Sequence, residues 1–192
     1  MYKKEGLNQE VIKPFQNIIY SYFKQYGRDF PFRDEISPYN VVISEMMLQQ
    51  TQTNRVVEKF QQFIQKFPDF QSLANASLND VLKVWQGLGY NRRAMALKKI
   101  AEKVVNEFDG TLPADVEILK SFPQIGHNTA SSIVAFAFNM PTFFIEVNIR
   151  RVYIYFFFPG TSSIDDRVIM PIVRKTLDRS NVRKWYYALM DF

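Results

Sequence analysis

Glu45 stands in the run Ile43-Ser-Glu-Met-Met-Leu-Gln-Gln-Thr51, among Val41, Val42, Ile43, Met46, Met47 and Leu48. Those neighbours predict a helix that is apolar nearly all round and therefore buried. A carboxylate in such a place must be paired, hydrogen-bonded or protonated. Desolvation raises its pKa, which gives the state a general acid needs near neutral pH. A buried structural glutamate accepting local hydrogen bonds fits the same residues. Glu146 is the second carboxylate of interest. It follows Phe143-Phe-Ile145 and precedes Asn148-Ile-Arg-Arg-Val152, so it lies beside a helix start, where the dipole and N–H donors keep it ionised. Helix-end electrostatics alone would also account for it. One protonated and one ionised carboxyl make a glycoside-cleaving pair.

The third element, Ser121-Phe-Pro-Gln-Ile-Gly-His-Asn-Thr-Ala130, reads as helix, short Gly-containing turn and helix. Such a hairpin offers backbone N–H groups and a positive helix end to a phosphate without selecting a base. Ala130, Ser131 and Ser132 let two helices approach closely. An ordinary αα-hairpin is the competing reading.

The elements that must position these residues are helical almost throughout. Apolar residues recur at helical spacing, with one stripe formed by Val11, Phe15, Ile18, Ile19, Tyr22 and Phe23 and ended by Gly27 and Pro31. Further helices are expected over 39–52, 56–67, 78–86, 93–108, 115–122, 128–138, 149–157, 166–177 and 183–192, with 142–146 extended and Asn148 as an N-cap. Pro171 is tolerable only in a first turn or at a kink. About ten helices and no strand pairing predict an all-α fold.

Composition narrows the chemistry. The 192 residues suffice for one substantial domain or two small lobes. They include no cysteine, which excludes disulfides, Cys-ligated zinc and cysteine-held iron–sulfur clusters, and His127 is the single histidine. Catalysis must therefore use carboxylates, amides, hydroxyls or the backbone. A formal net charge of +5 suits a polyanionic partner without proving one. No apolar run approaches the roughly 20 residues of a membrane helix, and Met1-Tyr-Lys-Lys-Glu5 is not a signal peptide, so a cytoplasmic protein with no membrane partner is expected.

Taken in order, several blocks resemble the endonuclease III superfamily of helix–hairpin–helix DNA glycosylases, most closely its MutY-like adenine branch. They are Phe30-Pro-Phe-Arg33, Pro38-Tyr39, Ser44-Glu-Met-Met-Leu-Gln-Gln-Thr-Gln52, Trp85-Gln-Gly-Leu-Gly-Tyr90 with Arg92-Arg93-Ala94, and Phe122-Pro-Gln-Ile-Gly126. Thr129-Ala130, Asn148-Ile-Arg-Arg-Val152 and Trp185-Tyr-Tyr-Ala-Leu-Met-Asp191 complete the collinear set. The resemblance implies a two-lobed fold with a DNA-binding cleft between the lobes. Residues 30–138 would form a six-helix barrel lobe containing the hairpin 115–138, and residues 1–29 with 139–192 a second helical lobe.

By the same resemblance Glu45 is the general acid that protonates a departing purine at N7. Gln49, Gln50 and Tyr90 wedge into the base stack as the target base flips out. Thr51 and Arg92 join them as DNA-binding residues. Gln124, Gly126, His127, Asn128 and Thr129 form the phosphate-binding hairpin, whose carbonyls would hold Na+ or K+; no other cofactor is implied. The partner is double-stranded DNA with a mismatched or damaged base, bound by a monomer.

Four departures from the family pattern stand out. Glu146 occupies the position of a catalytic aspartate. Asn128 replaces a Schiff-base lysine, and an amide cannot form an imine, which implies a monofunctional enzyme. The iron–sulfur cysteines are missing, leaving Trp185, Tyr186, Tyr187 and Phe192 to hold that end of the molecule. Gln124 replaces the first hairpin glycine, so the turn is expected to manage without a left-handed residue there. The 192 residues also leave no room for the further C-terminal domain by which adenine enzymes recognise 8-oxoguanine. The activity implied is removal of adenine opposite 8-oxoguanine or guanine. Thymine/uracil mismatch excision and a non-cleaving module for distorted duplex are the alternatives.

Overall fold

A computed structural model describes residues 6–192, and the polar start read above, Met1–Glu5, lies outside them. Twelve α-helices account for the regular structure among the described residues, as an all-α reading requires. They are α1 (Gln9–Tyr26), α2 (Pro31–Asp34), α3 (Pro38–Leu48), α4 (Thr53–Lys66), α5 (Phe70–Asn75) and α6 (Leu78–Trp85). After them come α7 (Arg92–Glu107), α8 (Val116–Lys120), α9 (His127–Phe138), α10 (Val147–Phe157), α11 (Asp166–Thr176) and α12 (Val182–Asp191). The short α2 and α5 escaped the periodicity reading, because one turn of helix is too brief to show a repeat.

Most starts follow from side chains that accept the first orphan N–H groups. Asn8, Ser37, Ser77, Asp115, Asp165 and Asn181 cap α1, α3, α6, α8, α11 and α12, and Asp69 with Ser72 forms a reciprocal capping box on α5. One start and one end differ from expectation. The helix expected to start at Ile149 begins at Val147, so its cap is Glu146 and not Asn148. The helix expected to run to Gln52 ends at Leu48, with the chain turning through 49–52 into α4. Pro171 lies well inside α11, past the first turn, where it cannot supply the N–H that Arg167's carbonyl would take.

The chain divides into two compact units. Asp29–Phe138 forms the middle unit, in which α5 and α6 pack on α7, α9 packs on α3 and α8, and α4 packs on α3. Its core includes Val42, Ile43, Met46, Met47, Phe60, Phe63, Leu73, Trp85 and Ile100, each fully buried. The other unit joins the chain up to Arg28 with Asn139–Phe192, and there α12 packs on α1 and α10, and α11 on α10. Phe15 of α1 meets Tyr153, Phe156, Phe157 and Trp185 at ring separations of 5.0–5.6 Å. Phe144 stacks on Tyr186 at 4.2 Å, and Phe192 packs on Tyr22 and Phe156. Packed rings, several of them fully buried, thus hold this unit together.

Candidate active site

From Tyr39 to Met47 every residue of α3 is buried except Glu45, which is half-buried. The helix is sunk in the middle unit, and within 39–47 only the Glu45 carboxylate is half-open. One group that meets this carboxylate is Ser132 of α9, whose hydroxyl contacts Oε2 across 87 residues of sequence. Ser132 also lies 3.0 Å from the Thr129 carbonyl one turn earlier in α9. Small residues make this approach possible, since Ala130, Ser131 and Ser132 are all buried in the face that α9 turns toward α3 and α8.

Beyond the end of α3, the chain reverses through Gln49, Gln50 and Thr51, and a second turn runs through Gly87, Leu88, Gly89 and Tyr90. Both are tied to Arg93, a residue that sequence reasoning placed in a matching block without giving it a role. Its Nη1 donates to the carbonyls of Met46 (3.0 Å) and Met47 (2.9 Å) and also to that of Gln49. Its Nη2 reaches Thr51 Oγ1 (3.0 Å), Leu88 O (3.0 Å) and Gly89 O (3.2 Å). A guanidinium presents five donors in a fixed fork, and the last carbonyls of a helix lack intrahelical donors. Arg93 therefore caps α3 and fastens the second turn to it. Burial lowers its pKa from the ordinary arginine value, and its charge lies 5.4 Å from the rings of both Trp85 and Tyr90. Nothing in the local sequence marks Arg93 over exposed Arg92, because burial depends on which face of α7 meets α3.

The held turns carry strained backbone. Gln50 has φ 55°, Tyr90 φ 48° and Gln124, in the hairpin, φ 61°. L-residues enter this left-handed region at about 1–2 kcal/mol each. Gln124 therefore takes up the very conformation its lack of glycine was expected to forbid, while Gly126 has an ordinary φ. All three residues line one pocket of about 30 Å³, completed by Gln49, Arg92 and Arg93. That volume holds a water molecule or two and is too small for a base.

In the hairpin, Gly126, His127 and Asn128 are exposed at the positive end of α9, and Thr129 is half-buried with its hydroxyl 3.4 Å from Gln49 Nε2. Lys120, at the end of α8 just before the hairpin turn, pairs with Glu117 at 2.8 Å. Of the residues singled out from sequence, Gln49, Gln50, Tyr90, Arg92 and Gln124 thus come together at one pocket, with Thr51 and Thr129 bonded to their neighbours.

Glu146 belongs to the unit of the chain ends. It is half-buried and N-caps α10, Oε1 accepting from the Ile149 N–H at 2.9 Å. Arg150, one turn on, makes a two-pronged bridge to Asp166 with both contacts at 2.7 Å. Its pKa is raised chiefly by that hydrogen bonding, with a smaller contribution from Glu146.

Comparison with known proteins bears on both units. A family model described as HhH-GPD superfamily base excision DNA repair protein matches residues 43–175. An adenine DNA glycosylase of Buchnera aphidicola subsp. Baizongia pistaciae is 32% identical over 182 residues, 92% of this chain and 51% of that protein. The Homo sapiens adenine DNA glycosylase is 38% identical over 150 residues, 73% of this chain and 28% of that protein. The chain thus spans about half the length of the bacterial relative and less of the mammalian one. Among solved structures, a thermostable thymine-DNA glycosylase superposes with a TM-score of 0.86 at 24% identity, covering 95% of this chain and 86% of that one. Endonuclease III in a non-covalent DNA complex superposes at 0.78 with 16% identity, covering 96% and 85%. At those identities the likeness shows the fold alone.

Proposed function

The chain belongs to the HhH-GPD superfamily of base excision DNA repair proteins, and from that premise we propose that it is a monofunctional DNA glycosylase. It hydrolyses the N-glycosidic bond of a mispaired adenine opposite 8-oxoguanine or guanine. The observation that carries this reading is the contact of Glu45 with Ser132, which fixes the one half-buried side chain in the otherwise buried run 39–47. The name carried by several relatives at 32–38% identity supports adenine as the base.

In the proposed reaction Glu45 gives its proton to N7 of the flipped adenine. The C1′–N9 bond breaks with its electron pair going to the base. A water oxygen then bonds to C1′ and releases a proton. Glu146 stabilises the cationic sugar, and its extra methylene relative to aspartate changes how it reaches. Asn128 cannot form an imine, so the product is an intact abasic strand. Gln49, Gln50, Thr51, Tyr90 and Arg92 fill and flank the gap left by the flipped base. The clustering of three left-handed residues there fits a site whose shape matters more than its ease of folding. Gln124, Gly126, His127, Asn128 and Thr129 hold a phosphate, with a monovalent cation at the hairpin carbonyls. The protein acts as a monomer on duplex DNA in the cytoplasm and needs no iron–sulfur cluster.

Incubation with duplexes carrying A:8-oxoG, A:G, T:G and U:G tests the proposal. Abasic sites opposite 8-oxoguanine or guanine, abolished by Glu45→Gln, are expected. Cleavage at T:G or U:G would replace adenine with a pyrimidine, and binding without cleavage of any duplex would reduce the protein to a recognition module.

A further inference from the structure

The steps above move no proton through the Ser132 hydroxyl, yet it is placed between two oxygen atoms. One is Oε2 of Glu45 and the other the Thr129 carbonyl oxygen, 3.0 Å away. A serine hydroxyl carries one proton and two lone pairs. If Glu45 is ionised, both neighbours are acceptors and the single proton can serve only one of them. If Glu45 is protonated, its O–H donates to Ser132 Oγ while Ser132 donates onward to Thr129, and both contacts are hydrogen bonds. Proton counting therefore gives each contact its own hydrogen when the proton is on Glu45. Bonding of a helical serine to the carbonyl three residues back is common and would explain the Thr129 contact alone. It does not explain the carboxylate. Ser132 is also 4% exposed, so water is poorly placed to substitute for it.

We infer that Ser132 is a positioning residue that follows the proton of Glu45, accepting from the acid before transfer and donating to the carboxylate after it. The inference rests on the reading of Glu45 as general acid. As the carboxyl O–H bond breaks and the new N–H bond forms on the leaving base, negative charge grows on the carboxylate. The Ser132 O–H turns from Thr129 to meet it. The bond it gives up is a second, weaker one, because the Thr129 carbonyl already serves the α9 ladder. The bond it gains is charge-assisted and about twice as strong as a neutral one. An interaction that strengthens as the reaction proceeds raises the rate of the chemical step and not the affinity for DNA. Arg93, the buried cation at the end of α3, has its bonds ending on the carbonyls of Met46 and Met47.

The test compares Ser132→Ala, Ser132→Thr, Glu45→Gln and the double variant Glu45→Gln/Ser132→Ala. For each, single-turnover excision and duplex affinity are measured, and the Glu45 side-chain carbon is titrated by NMR in the free protein where Glu45 remains. Ser132→Ala is expected to slow excision about tenfold with affinity unchanged within about twofold, and to move the Glu45 titration to higher pH because the anion loses a donor. Ser132→Thr should restore both, and Ser132→Ala should add nothing once Glu45 is Gln. A wild-type rate with an unmoved titration in Ser132→Ala overturns the inference while leaving Glu45 its role, provided Glu45→Gln is inactive. If Glu45→Gln excises normally, both readings fall. If the wild-type protein cleaves no duplex, the proposed activity fails and the titration alone decides whether Ser132 follows the Glu45 proton.

Discussion

Glu45 projects from the middle of a sunken helix, and the hydroxyl that meets it comes from another helix 87 residues along the chain. Glu146 ends a non-helical stretch, and the N–H that meets it is three residues away on the helix it caps. Their supporting arginines differ in the same way. Arg93 is 3% exposed and bonded to carbonyls of two separate turns, whereas Arg150 bridges Asp166 across side chains that are 34% and 43% exposed. The orientation of Glu45 is thus a property of the assembled middle unit. That of Glu146 follows from forming α10 at all. Chemistry that needs a protonated acid of fixed direction is better served by the first arrangement, and a carboxylate that need only stay charged by the second.

The largest effect should separate the two carboxylates. Glu45→Gln is expected to lower single-turnover excision by at least about a hundredfold with duplex affinity retained, the scale of a lost general acid. A smaller loss there than for Glu146→Gln would reverse the roles assigned.

The arginines come next. Arg93→Met should destabilise the protein by about 3 kcal/mol, since it strips donors from several buried carbonyls at once. Thermal melts should record this as a fall of about 6–12 °C. Arg150→Met removes a half-exposed ion pair and should shift stability by about 1 kcal/mol or less. Equal shifts would erase the contrast drawn between the two regions.

Loss of the cap is smaller again. Glu146→Ala should cost about 1 kcal/mol, seen as a melting temperature lower by about 2–4 °C, while Glu146→Asp should keep the cap and stay within about 0.5 kcal/mol of the parent. A melting temperature unchanged in Glu146→Ala would mean that its bond to Ile149 does not support α10.

Acid should reach the unit of the chain ends first. Asp165 is held at about 2, chiefly by its bonds from Arg167. Burial alone would raise Asp178, yet the hydroxyls of Ser180 and Tyr20 outweigh it and keep Asp178 below its ordinary value. A carboxylate depressed on folding contributes stability above its unfolded pKa of about 3.9 and loses it as pH falls toward the folded value. Hydrogen exchange as pH falls from about 4 to about 2 should therefore show α11 and the α11–α12 turn opening before α3 and α9. Simultaneous opening would show that these two aspartates do not set the acid response.

Helix positions were largely legible in the sequence because a helix is built from contacts three and four residues apart, which an apolar repeat records. The buried run around Glu45 was read for the same reason. The ends were less so: Glu146 took the cap assigned to Asn148 because either side chain can accept an N–H, and the choice depends on where the preceding segment enters. Gln124 was read as unable to turn left-handed, yet that penalty is small enough for surrounding structure to impose it.

By itself the sequence determined an all-helical protein with no cysteine chemistry, a sunken helix carrying one carboxylate, a hairpin opening on small residues and a ring-rich terminal region. Only the tertiary structure decided that Ser132 contacts Glu45, that Arg93 and not Arg92 is buried, and that three non-glycine residues turn left-handed around one pocket. The reason is physical. Periodicity fixes which face of a helix is apolar, but a hydrogen bond between helices depends on their relative rotation and depth, and those are set by the packing of every side chain between them.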